Sequence, residues 1–123
     1  MKDDNRYLWM LNDHELQRRI NERQRAFDGA RERLRACDRD VRRREGQLAF
    51  ALTQHAPIDA IAKHRNILIA RGLERGSYHE AMIAARKSLH AAVAERQRRW
   101  RWRIVESARA ITIYDPSPYR EEA

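Results

Sequence analysis

The stretch DHELQRRINERQRAFDGARERLRACDRDVRRREGQLAFALT, residues 13–53, returns its apolar side chains in alternating steps of three and four. Leu16, Ile20, Phe27, Ala30, Leu34, Cys37, Val41, Leu48 and Ala51 form one ladder, and Arg23 and Arg44 occupy its two charged rungs. A spacing that averages 3.5 residues keeps one narrow stripe of a helix facing a partner helix, so five heptads of it predict a coiled coil. Asn12 with Glu15 three residues on reads as a capping box that opens the helix. At 1.5 Å per residue, a helix from Asp13 to about Thr53 spans roughly 60 Å. The two arginines within the ladder either pair with acids across a hairpin or lie where the chain does not cover its own stripe, because an unpaired buried charge is costly.

Working towards the C-terminus, Gln54-His55-Ala56-Pro57 interrupts the pattern, since proline has no amide hydrogen and disfavours helical geometry before it. Pro57 is expected either to kink one helix or to start a new, short one. Ile58, Ile61, Leu68 and Ile69 keep a helical period to about Arg71. Gly72-Leu73-Glu74-Arg75-Gly76 reads as the turn of the hairpin, with Ser77 and Glu80 as a second capping box behind it. A last helix then carries Tyr78, Met82, Ala85, Leu89, Val93, Trp100, Ile104 and Ile111 to about residue 113. Asp115-Pro116-Ser117-Pro118 ends it. The expected fold is therefore all-α: an N-terminal segment over 1–12, a long antiparallel helical hairpin or coiled coil over 13–113, and a disordered tail over 114–123.

Composition agrees with solvated helices. Among 123 residues, 36% are charged and 42% hydrophobic, with 4 glycines and 3 prolines. A narrow buried stripe needs little apolar content, whereas a compact enzyme needs loops and a thicker core. The net charge of +8 favours acidic partners: nucleic acid, an anionic membrane surface or an acidic protein. The lone Cys37 rules out an internal disulfide and suits a reducing compartment. No apolar run approaches the roughly 20 residues that span a bilayer, and the first residues lack the layout of a signal peptide. Cytoplasmic residence is the expectation, peripheral at the inner membrane if the chain serves an export system.

Chemistry-bearing constellations are scarce. His14, His55, His64, His79 and His90 include no pair at helical i, i+4 spacing with a carboxylate, so no metal site is expected. Cys37 lies on the ladder and reads as a small buried apolar residue. There is no activated nucleophile and no glycine-rich phosphate loop, so no enzymatic activity and no cofactor are expected. The run Arg96-Gln97-Arg98-Arg99-Trp100-Arg101-Trp102-Arg103 stands out. Arg98, Arg99, Arg101 and Arg103 could grip phosphates while Trp100 and Trp102 stack on bases, and an anionic membrane surface is a further alternative. Against that, Trp100 continues the buried stripe through Ile104, which makes the run a structural or partner-facing helix end.

The layout of His64-Arg65-Asn66-Ile67-Leu68, the glycine pair, and Ser77 through Tyr78, Met82, Leu89, Ala92 and Gln97-Arg98 resembles the FliJ/YscO-type stalk proteins of type III export systems, over about residues 13–112. The resemblance implies an antiparallel two-helix coiled coil that inserts into the central opening of a hexameric export ATPase. It further implies contact with the membrane export gate, through a surface near the turn around Ala60, His64, Ala85, Leu89, Ala92 and Arg96. His64 stands where the family has an aromatic, and Pro57 breaks what should be a continuous helix. Independently of the family, a first helix much longer than the second would leave Leu16, Ile20 and Phe27 as exposed apolar surface for a protein partner or a second copy, unless Pro57 is a true turn and three helices of this chain fold together to cover it. The expected function is thus a non-enzymatic coiled-coil adaptor or stalk in a multiprotein machine, with a basic nucleic-acid-binding protein as the alternative.

Overall fold

In a computed structural model, which describes residues 4–114, the chain is a short 3-10 helix, Asp4–Met10, followed by two long α-helices packed antiparallel against each other. Helix α1 spans Asp13–Thr53 and helix α2 spans Ile58–Tyr114. The expectation of a tail over 114–123 falls, beyond Tyr114, outside the described residues.

Asn12 caps α1 as its sequence suggests. Its Oδ1 accepts the Glu15 amide hydrogen at 2.8 Å, while its Nδ2 donates to Glu15 Oε1 at 2.7 Å. Asp13 and Glu15 also place negative charge on the helix N-terminus, where the macrodipole favours it. The ladder is the buried stripe of α1. Leu16, Ile20, Arg23, Ala30, Leu34, Cys37 and Ala51 are buried, and Phe27, Val41, Arg44 and Leu48 are half-buried.

The chain reverses at Gln54–Pro57. Ala56 N–H donates to Ala51 O at 3.0 Å and His55 N–H to Leu52 O at 3.2 Å, the paired bonds of a Schellman motif. His55 takes the left-handed position at φ 52°, where glycine is the usual residue. Pro57 follows as the cap of α2, its carbonyl accepting the Ile61 amide hydrogen at 3.1 Å. Proline suits this place because the first amides of a helix have no intrahelical acceptor. His55→Val, which sets a β-branched side chain in left-handed geometry, is expected to cost about 1–2 kcal/mol. His55→Gly should cost nothing measurable, as urea denaturation followed by circular dichroism will show.

The reversal corrects the expected turn at 72–76. Gly72 and Gly76 lie inside α2 without positive φ, and Ser77 caps nothing because the helix is already running. Two glycines separated by Leu73-Glu74-Arg75 weaken a helix by about 1 kcal/mol each, which its other 55 residues and the ties to α1 outweigh. Those ties lie on both sides of Gly72. Arg71 Nε donates to Asp40 Oδ2 at 2.6 Å, and Arg75 pairs with Asp38. A Cβ at Gly72 or Gly76 would meet nothing within 4 Å. Gly72→Ala and Gly76→Ala should therefore each stabilise the fold of a single chain by about 0.5–1 kcal/mol, read as a higher urea midpoint at unchanged slope under dilution that keeps the chain monomeric. At a genuine glycine turn the same changes would destabilise.

Two compact units divide the chain, residues 21–89 and residues 1–20 with 90–123. Within 21–89, Ala30, Leu34, Cys37, Ala51 and Leu89 are buried. Arg23, also buried, donates through Nη1 to the Ser88 carbonyl at 2.7 Å, so this rung crosses the hairpin to a backbone acceptor. Arg44 stays on its own helix, donating to Asp40 Oδ2 at 2.9 Å, the same oxygen that Arg71 reaches from α2. The Arg44 and Arg71 guanidiniums hold the Asp40 carboxyl far below the usual carboxylate range. Cys37 is buried, its Sγ 3.7 Å from the Arg71 carbonyl.

In the other unit the buried residues, among those described, are Leu8, Leu16, Ile20 and Ala92. Leu16 and Ile20 are thus not the uncovered surface expected of them, and Phe27 is half-buried. The reason is the position of the turn. Reversal at 54–57 makes α2 the longer helix, 57 residues against 41, so α1 is covered from its first turn and α2 has the surplus.

Candidate functional site

The Arg/Trp run sits where α2 reaches the start of α1. Arg99 is the hub. It donates to Glu95 Oε1 at 3.0 Å and to Asp13 Oδ1 at 3.1 Å, and its Nη2 meets the carbonyls of Leu8 at 2.9 Å and Trp9 at 3.4 Å. One guanidinium thereby fastens the C-terminal end of the 3-10 helix and the first residue of α1 to α2, a fork that only arginine provides. Arg103 joins Asp13 from the next turn of α2. Arg98 grips Glu95 with two bonds of 2.9 and 2.7 Å, and Arg96 donates to Gln17 Oε1 at 3.1 Å.

These contacts lower the acids they involve. Arg98 and Arg99 bring Glu95 from 4.5 to about 2, and hydrogen bonds from Arg99 and then Arg103 lower the exposed Asp13. Both carboxyls bind protons more weakly when folded than when unfolded, so their contribution is complete above the unfolded values and lost as pH falls through the folded ones. With Asp40 behaving likewise, helicity at a fixed moderate urea concentration should hold from pH 7 to about pH 5, then decline between about pH 4.5 and pH 2.

Helix α1 begins at Asp13, which lies against Arg99 and Arg103, so its cover of α2 gives out from about residue 100 onward. Trp100 is 62% exposed, and Trp102, Ile104, Val105 and Ile111 are exposed as well. This corrects the expectation that Trp100 and Ile104 continue the buried stripe: the period continues, but the helix that covered it does not. Trp100, Ile104, Ala108 and Ile111 share one helix face and, with Arg103 and Ser107, line a shallow groove. A second groove, between the 3-10 helix and α2, is lined by Leu8, Trp9, Ala91, Glu95 and Arg98 among others.

The remaining expected site residues are not assembled with these. Ala60, His64, Ala85, Leu89, Ala92 and Arg96 all lie on α2 and do not flank a turn. Leu89 and Ala92 are buried, Ala60, His64 and Ala85 are half-buried, and Arg96 is engaged with Gln17. Of the arginines proposed for phosphates, Arg98, Arg99 and Arg103 have carboxylate partners. Among the described residues, Arg101 alone of the arginines in the run has no hydrogen bond or ion pair. The described residues hold no group of three or more His, Cys, Asp or Glu side chains that could share a metal ion, and no helix among them is long and apolar enough to cross a membrane. What sequence reasoning missed is Asp13, the acid shared by Arg99 and Arg103. Its signal is only that of a first-turn acid, and its partners follow from a hairpin register that local sequence does not encode. No protein-family model, curated protein or solved structure matches the chain.

Proposed function

We propose that the chain is a non-enzymatic helical adaptor that docks a partner protein on the uncovered end of α2, residues 100–111. One observation carries this reading: the guanidiniums of Arg98, Arg99 and Arg103 are tied to Glu95 and Asp13, while the apolar face of Trp100, Ile104 and Ile111 is open. A phosphate-tracking surface presents the reverse, free cations in a row with aromatic rings between them. Apolar surface held open beside a rigid polar clasp instead suits a partner that buries it. In its most specific form the adaptor is the stalk of a type III export ATPase. The two-helix antiparallel layout is the feature in common with that family; the glycine turn is not.

The test is a pull-down from cell extract, with and without nuclease, at low and moderate salt, using the chain and its Trp100→Ser/Ile104→Ser variant. A protein that survives nuclease and moderate salt and is lost with the double variant supports the adaptor, and its identification as a hexameric ATPase supports the stalk. Recovery of nucleic acid alone, vanishing as salt rises, would contradict both.

A further inference from the structure

Helix α2 carries apolar residues on two faces. One packs on α1. The other looks outward in the unit of residues 21–89, where Ile69 and Leu73 are 56% and 75% exposed and flank the exposed Gly72 and Gly76. Arg65, Ile69, Gly72, Gly76 and Glu80 recur at steps of three and four, so with Leu73 they form a single outward stripe. Exposed isoleucine and leucine beside glycines that leave open space amount to knobs and holes on the same surface. Among the described residues, Arg65 and Glu80 have no ion-pair partner within the chain.

We infer that this face binds a second copy of the chain, with the two α2 helices antiparallel about a twofold axis passing between Gly72 and Leu73. Equal steps on either side of that axis place each Ile69 over the partner copy's Gly76 and each Leu73 over its Gly72. The same steps set each Arg65 against the opposite Glu80. An interface of this kind is isologous: every contact occurs twice, and the surface must complement itself in both shape and charge. The stripe does so only in the antiparallel sense. A parallel pairing would set Arg65 on Arg65, Leu73 on Leu73 and glycine on glycine, opposing like charges and wasting the holes. The glycines, which weaken α2 as a helix, then have a purpose, because they let two helix backbones approach to the short end of the usual 8–10 Å range. This inference is independent of the docking end at 100–111 and involves none of its residues.

The test is the mass of the full chain by sedimentation equilibrium, with circular dichroism confirming that every variant remains helical. The wild type should be a dimer. Arg65→Glu sets a second carboxylate against Glu80 at both ends of the interface, and Glu80→Arg sets a second guanidinium against Arg65 in the same way. Each variant alone should therefore dissociate at least about tenfold more readily. Mixed in equal amounts, the two variants should form a heterodimer of near wild-type affinity, since each supplies the charges the other lacks. Gly76→Leu, which favours the helix but fills the hole, should weaken the dimer without lowering helicity. A monomeric wild type, a dimer indifferent to both charge reversals, or variants that fail to rescue each other would overturn the inference.

Discussion

Replacing Leu16 by alanine is expected to lower the stability of the fold by about 2–5 kcal/mol, the largest loss from any conservative truncation in the chain. Leu16 is 2% exposed and has the bulkiest side chain among those buried most completely. Among the described residues of its unit only Leu8, Ile20 and Ala92 are also buried, so little there can move to fill the space it leaves. The loss combines the transfer of three methyl or methylene equivalents with an unfilled cavity. A thin two-helix core cannot spread that deficit over several layers. Arg18→Ala, on the solvated side of the same helix turn, is the control and should change stability by no more than about 0.5 kcal/mol. Urea denaturation of both variants reads the difference directly. Were Leu16 part of an uncovered surface awaiting a partner, as the sequence suggests, its truncation would leave stability intact and reduce only binding.

Leu73→Pro is expected to cost about 3 kcal/mol or more, despite removing an exposed side chain. Leu73 lies deep within α2, and proline there deletes the bond to the Ile69 carbonyl and drives its ring against that carbonyl. The kink would also separate Arg71 from Arg75, whose bonds to Asp40 and Asp38 hold this stretch to α1. Both ties depend on a straight helix presenting the two arginines one turn apart. Leu73→Ala at the same position should change monomer stability by less than about 0.5 kcal/mol, so the comparison isolates the backbone. Proline in a Gly-Leu-Glu-Arg-Gly turn would be tolerated, and a Leu73→Pro variant as stable as the wild type would restore that turn.

The contrast shows what local sequence can and cannot specify here. The α1 ladder is legible because a heptad stripe of nine apolar residues and two arginines has one reading, and every rung is buried or half-buried. The Asn12–Glu15 cap is legible because its geometry is set within four residues. Pro57 is legible as a break and as one candidate turn, but the glycine pair reads as the stronger one, since the left-handed residue that makes the reversal is His55, where only glycine would have announced it. Gly72, Gly76 and the Ser77–Glu80 pair carry turn and cap signals that tertiary context overrides, through arginines paired with acids more than 30 residues away. The clasp at Asp13 is illegible for the same reason: it exists only once the register of the hairpin is fixed. Periodicity shows that Trp100 and Ile104 share a face with one another, but not where the covering helix ends.

The location of the reversal decides which surfaces are free, both at residues 100–111 and along the outward stripe of α2. Spin labels at the exposed positions Lys63 and Arg86, introduced as cysteines with Cys37 replaced by alanine, measure it directly. The labelled chain is diluted with unlabelled chain so that distances within one molecule dominate. A continuous α2 separates these sites by 23 residues of helix, so double electron–electron resonance should give a narrow distance near 35 Å. A distance of about 10 Å, as for neighbours on two packed helices, would place the turn at the glycines and contradict the account.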